Sequence, residues 1–310
     1  MNVTTKLLVA SLAFVGITAM PNGAGAHDGS FQNGIDHKHT LGNHAETDAR
    51  AIRDARTGAS RTSSSNGITY HNGPVMLGPT KAYVIWYGDW STGTTPTILN
   101  DLLTNVGGSP YFNINTTYYN GAKAPVSNAV SLAGSTTDAY SQGTNLTDAS
   151  VKTVVSTAIS SGALPSDTNG VYFVLTSKDV FETSGFLTQY CGWHGNGSIG
   201  GADIKYSFVG DPGRNLAACS AQSTSPNGNA AADAMASVIL HELEETVTDP
   251  DLNAWYDSRG YENADKCAWT FGTTYKTANG SLANMKLGSR DFLIQRNWVN
   301  ASGGLCALKY

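Results

Sequence analysis

The sequence predicts an α/β (α+β) fold, a mixed β-sheet backed by helices, from three observations. Short runs of β-branched and aromatic residues are bounded by Gly and Pro, helical stretches lie between them, and a long helix follows the last strong strand. Lys81-Ala82-Tyr83-Val84-Ile85-Trp86-Tyr87 sits between Gly78-Pro79 and Gly88-Asp89 and reads as a buried strand. Pro96 to Leu103 reads as a helix capped by Thr95, because proline is tolerated in a first turn, and Gly107-Gly108 ends it. Asp148 to Ser160 gives a second helix, Gly170 to Leu175 a second core strand, and Ile204 to Val209 a third. The long helix starts after Asn227-Gly228-Asn229, runs through Met235, Val238 and Ile239 to about Val247, and cannot continue past Pro250. Asp291 to Val299 reads as a late strand.

A net charge of −5, with 14% charged residues and no run of Lys or Arg, leaves no footprint for a phosphate backbone. Nucleic acid is therefore excluded as a partner. Residues 1–26 read as a secretory signal: Lys6, an apolar run from Leu7 to Ile17, then small residues ending at Ala24-Gly25-Ala26. That run is too short for a transmembrane anchor, and no later segment reaches ~18 uninterrupted apolar residues. The expected localisation is secreted, in a cell wall, periplasm or extracellular space. Residues 27–68 hold His27, His37, His39 and His44 among polar residues and read as a flexible leader or pro-segment, followed by one domain over 69–310. Four cysteines, Cys191, Cys219, Cys267 and Cys306, make an even number in an oxidising compartment, which favours two disulfides over free thiols or a thiolate-bound metal. No feature of the sequence specifies an oligomeric state.

Chemistry concentrates in His241-Glu242-Leu243-Glu244-Glu245-Thr246-Val247-Thr248-Asp249-Pro250. At about 100° per residue, His241 and Glu245 stack one turn apart and Glu242 lies beside them. This is the layout of a zincin-like helix, in which residues spaced i and i+4 grip one ion and the carboxylate between them takes a proton from water. Glu245 stands where the H-E-x-x-H motif has its second histidine. Zinc accepts a carboxylate oxygen, but such a ligand set also suits calcium or manganese, so the cofactor is read as a divalent metal with zinc first. Glu244, Glu245 and Asp249 at a helix C-terminus oppose the dipole and invite a cation. The bland alternative is an acidic, solvated last turn.

The chain from about Tyr70 to Cys306 resembles the EXORDIUM family, also called phosphate-induced protein 1. The matching pieces are His71-Asn72-Gly73-Pro74-Val75, Val84-Ile85-Trp86-Tyr87-Gly88, Cys191-Gly192-Trp193-His194-Gly195, and Phe208-Val209-Gly210-Asp211-Pro212. His241-Glu242-Leu243 with Glu245, Pro250, Asn253-Ala254-Trp255-Tyr256, Glu262, Asp265 and Cys267 follow, then Phe292-Leu293-Ile294-Gln295, Trp298 and Cys306. The resemblance implies an extracellular protein linked to cell-wall growth, with no defined chemistry. Beside it, Cys191 is expected to pair with Cys219, and Cys267 with Cys306.

A metal held by His241 and Glu245 needs further ligands, and Glu262 and Asp265 are the expected ones. Asp251 is a weaker rival, because Thr248 stands where the compact metal motif needs glycine. Glu242 is the expected general base, and His194 or Tyr256 the expected donor to a developing oxyanion. Trp193, Trp255 and Tyr256 either line a substrate groove or fill core. Two functions fit: a metal-dependent hydrolase acting on a peptide or cell-wall polymer, peptides first, or a non-catalytic wall-associated or signalling module with a structural ion and carbohydrate-binding aromatics. Nucleophilic Ser or Cys catalysis finds no G-x-S-x-G elbow and no spare thiol.

Overall fold

The computed structural model describes the backbone of residues 37–40 and all of residues 67–310. The expected signal at 1–26, and the leader apart from 37–40 and 67–68, lie outside the described residues. Six strands form one mixed sheet: β1 (His37–Thr40), β2 (Thr80–Tyr87), β3 (Val130–Asp138), β4 (Gly170–Thr176), β5 (Tyr190–Ile199) and β6 (Ala202–Gly210). Their order is β1-β5-β6-β4-β2-β3. The strands β3, β2, β4 and β6 run parallel, β5 lies antiparallel to β6, and β1 pairs antiparallel with the outer edge of β5. Parallel neighbours need crossovers. Helix α1 (Thr95–Asn105) joins β2 to β3 and helix α2 (Asp148–Ser160) joins β3 to β4.

The central strands are buried on both faces, which is why their sequences are almost continuous apolar runs. Every residue of β4 is buried, and every residue of β2 except Lys81. The edge strand β3 alternates between more and less covered positions, and its polar half (Gly134 to Asp138) carries no apolar run. Strand β5 holds Gly192, Gly195 and Gly197, yet it pairs with β6 from Gly192 to Ile199. Gly200 and Gly201 close that hairpin at φ +59° and +85°, the left-handed pair that a two-residue turn requires.

Helix α3 (Ala230–Thr248) is the expected long helix. Asn229 caps it by accepting the Ala232 N–H at 3.1 Å, which satisfies one orphan donor of the first turn. From Ala232 to Thr248 every residue is buried, between strands β5 and β6, helix α1 and the C-terminal segment. A helix enclosed all round is ordinarily apolar, whereas α3 carries Asp233, Glu242, Glu244 and Glu245 in its buried length. Each of those carboxylates demands a partner in the fold. Asp233 finds Asn227, whose Nδ2 donates to Oδ1 at 2.6 Å and whose backbone N–H donates to Oδ2 at 3.1 Å.

Beyond α3 the chain forms short hairpins and turns that cover the helix's outer flank. The late strand expected over 291–299 is divided into Arg290–Phe292 and Asn297–Val299. Between them side chains take over the backbone: Ile294 N–H donates to Asn284 Oδ1, and Gln295 N–H to Ser237 Oγ. Both expected disulfides are present, Cys191–Cys219 and Cys267–Cys306. Among the described residues, no helix is long and apolar enough to cross a membrane.

Candidate metal centre

Three segments meet at the last two turns of α3. The helix supplies His241, Glu242 and Glu245; β5 supplies His194; the loop leading into the one-turn helix Asp265–Cys267 supplies Glu262, and the first residue of that turn is Asp265. On the helix, His241 Nε2 stands 3.0 Å from Glu245 Oε1 and 3.6 Å from Asp265 Oδ1. On the strand side, His194 Nε2 stands 3.1 Å from Glu262 Oε2 and 3.8 Å from Glu245 Oε2. The candidate ligands therefore fall into two triads, His241–Glu245–Asp265 and His194–Glu245–Glu262, each with its three ligand atoms within 4.8 Å of one another. Glu245 is common to both.

The loop is held in place by backbone contacts that its sequence encodes. Asp265 N–H donates to Glu245 Oε1 at 3.0 Å, and Glu262 N–H to Asp265 Oδ2 at 3.4 Å. Between them, Asn263 Nδ2 donates to the Glu244 carbonyl at 3.1 Å while its own carbonyl accepts Trp298 N–H at 3.2 Å. Asn263 thus fastens the ligand loop to α3 on one side and to strand Asn297–Val299 on the other. Sequence reasoning missed it; the signal was an amide lying between two candidate ligands.

Enclosure sets the electrostatics. His194, His241, Glu242, Glu245 and Glu262 are all fully buried, and only Asp265, with 15% of its side chain exposed, faces outward. Burial pushes Glu245 up to about 7, and neighbouring Asp265 adds to the rise. Glu242 and Glu262 are driven well above the carboxylate range, by burial first and then by adjacent carboxylates. Burial opposes charge on His241, yet Glu245 and Asp265 outweigh it and hold the imidazolium well above 6.5. These are the responses of a crowded set of acids in a low-dielectric space. Neither carboxylate oxygen of Glu242 has a hydrogen-bond partner among the described residues.

The other acids at the end of α3 go elsewhere. Glu244, on the opposite flank, accepts from Asn297 Nδ2. Asp249 accepts the N–H groups of Asn253 and Ala254, both at 2.6 Å, and so organises the turn after the helix. Asp251 is engaged by Lys205 at 3.3 Å, outside both triads. Tyr256 also lies outside the triads; its ring stacks on His71 with centroids 3.6 Å apart. Trp193 is fully enclosed in the sheet and stacks on Phe208, and Trp255 is buried against Tyr70 and Tyr118, so both fill core.

The sheet with its paired cysteines and the His-carboxylate cluster describe a disulfide-linked α/β domain. The family model described as "Phosphate-induced protein 1 conserved region" matches residues 68–293, which contain every member of the cluster. Among similar proteins, EXORDIUM-like 5 of Arabidopsis thaliana is 31% identical over 273 residues, covering 74% of this chain and 75% of that protein. EXORDIUM-like 3 of the same plant is 29% identical over 271 residues, covering 74% and 80%. No solved structure matches the chain. The chain belongs to the phosphate-induced protein 1, or EXORDIUM, family.

Proposed function

We propose that this chain is an exported metal-dependent hydrolase acting on a peptide or cell-wall polymer, with metal held by His241, Glu245, Glu262 and Asp265. The observation that carries the reading is the convergence of α3, β5 and the 262–265 loop on Glu245, with the buried carboxylate of Glu242 on the adjoining turn. Within each triad the distances from the imidazole to its carboxylates, 3.0 and 3.6 Å about His241 and 3.1 and 3.8 Å about His194, are near the ~3.3 Å separation of ligands on a tetrahedral ion with bonds of about 2.0 Å. A divalent ion there would polarise an acyl carbonyl and acidify water. In this reading Glu242, on the turn beside the ligands and ionised once a cation is bound, accepts and returns the proton. His194 fits better as a further ligand than as an oxyanion donor, because its Nε2 faces Glu262 and Glu245. Export rests on the amino-terminal signal and agrees with two disulfides.

One observation favours a second reading. With His194 and Glu262 wholly enclosed, the same residues suit a structural ion in a non-catalytic wall-associated module. Elemental analysis of the purified mature protein beside His241→Ala and Glu245→Ala tests the site itself. Metal in the parent and its loss in both variants is expected; equal content in all three removes the site. Chelator-sensitive release of new amines from peptides, or of reducing ends from wall glycans, separates the enzyme from the module. A metal-loaded protein that turns over neither substrate class leaves the structural role.

A further inference from the structure

The arrangement of Glu245 between the two imidazoles has a consequence for the number of ions. We propose that the centre is binuclear: two divalent cations, one held by His241 and Asp265 and the other by His194 and Glu262, bridged by the carboxylate of Glu245. The inference rests on the metal-binding reading above and extends it from one ion to two.

Three observations carry it. First, the two oxygens of Glu245 are divided between the histidines. Its Oε1 faces His241 at 3.0 Å, and its Oε2 faces His194 at 3.8 Å. A carboxylate that presents one oxygen to each of two sites is built to span a pair of ions. Second, the ligand atoms do not gather about a single point. His241 and His194 share no triad, and neither do Asp265 and Glu262; each triad takes one imidazole and one private carboxylate in addition to Glu245. Two ions about 3.5–4 Å apart, the usual spacing of paired catalytic metals, use all five residues.

Third, the charges balance. Among the described residues, Glu242, Glu245 and Glu262 are buried carboxylates and Asp265 a mostly covered one, four in all around the two triads. With neutral imidazoles, as metal ligation requires, one divalent ion offsets two of those charges and a pair offsets all four. Beside a single ion, the carboxyls left over would have to hold protons to remain buried. Glu242 supplies independent support. It is fully buried, neither oxygen has a hydrogen-bond partner among the described residues, and its Oε1 lies over Gly192 on the face of β5 that also carries His194.

The test counts ions in the full mature chain, stripped with chelator, reloaded with Mn2+ or Zn2+ and dialysed. Native mass spectrometry and elemental analysis are expected to give two ions per chain. His194→Ala and His241→Ala should each halve that content, and Glu245→Ala should abolish the pair. One ion in the parent, lost in either histidine variant, overturns the binuclear centre and leaves a single-ion site intact. Two ions that both survive His194→Ala overturn the assignment of the second position. No ion in the parent overturns the metal-binding reading itself. Because alanine in a buried cluster can unfold the chain, the parent also decides the matter alone. Mn2+-loaded wild type should show an exchange-coupled electron paramagnetic resonance spectrum; an isolated-ion spectrum at full loading sinks the bridge.

Discussion

Gly192 lies directly against the carboxylate of Glu242: a Cβ added to this glycine would stand 3.1 Å from Glu242 Oε1 and 2.6 Å from Val238 Cγ1. It would also lie 2.9 Å from the Phe208 carbonyl oxygen, so the intruding methyl is trapped between helix and sheet backbone. Strand β5 reaches α3 at the level of the motif because no side chain intervenes. Gly192→Ala is expected to overpack this contact at about 1–3 kcal/mol. At roughly 2–4 °C per kcal/mol for a domain of this size, the melting temperature should fall by several degrees. Calorimetry of the variant showing no change would mean that strand and helix are not in this contact.

Asp249 gives a pH signature outside the ligand set. Its Oδ1 accepts two backbone N–H groups, and burial pushes the carboxyl up to about 7. The unfolded value is about 3.9, so between those limits the folded chain holds a proton that the unfolded chain has released. Stability contributed by this residue is full below pH ~4, falls as pH rises toward 7, and is level above that. Asp249→Asn keeps the acceptor oxygen and removes the titration. Relative to the variant, chelator-stripped wild type should lose on the order of a few kcal/mol across that window. Urea unfolding at pH 4, 5.5 and 8 measures this, and a difference constant with pH contradicts it.

The sequence reveals those parts of the fold whose periodicity is strong. Lys81 to Tyr87 and Gly170 to Leu175 are apolar runs buried on both faces, and Asp148–Ser160 appears with the expected bounds. Strands β3 and β5 were not legible, since Gly134 to Asp138 and Gly192 to Gly197 carry turn-like residues whose strand state comes from pairing with neighbours. At the site, His241 and Glu245 follow from helical spacing alone, because i and i+4 must share a face. The addition of His194 to that cluster depends on β5 being a strand next to α3. No local pattern shows that juxtaposition, and so the residue was expected outside the ligand set. The two-triad division depends on tertiary register for the same reason.

The Cys267–Cys306 disulfide fixes the segment that carries Glu262 and Asp265 to the short strand Leu305–Ala307. Closing a loop of 39 residues restricts the unfolded chain by about 4 kcal/mol in the chain-entropy treatment. Replacing both cysteines by serine is expected to cost about 2–4 kcal/mol in denaturant unfolding. Because Asp265 is two residues from Cys267, the same variant should bind metal more weakly, as ordering the loop then falls to the ion. Metal titration of folded Cys267→Ser/Cys306→Ser with unchanged affinity would show that hydrogen bonds from Asn263 suffice to place the ligands.

Glu242→Gln separates binding from chemistry. The amide has nearly the same shape and removes the charge, and the residue belongs to neither triad. Retained metal is therefore expected, together with a loss of hydrolysis of about 10²–10⁴-fold, the usual contribution of a general base. Among the described residues Glu242 has both oxygens buried without hydrogen-bond partners, so an uncharged amide there avoids the cost of burying an ionisable carboxyl. Thermal stability of the chelator-stripped variant should accordingly match or exceed that of the parent. Loss of activity with metal and stability intact identifies proton transfer as the role of Glu242. Full hydrolytic activity in the metal-loaded variant rules that role out, and concurrent loss of metal would place Glu242 among the ligands.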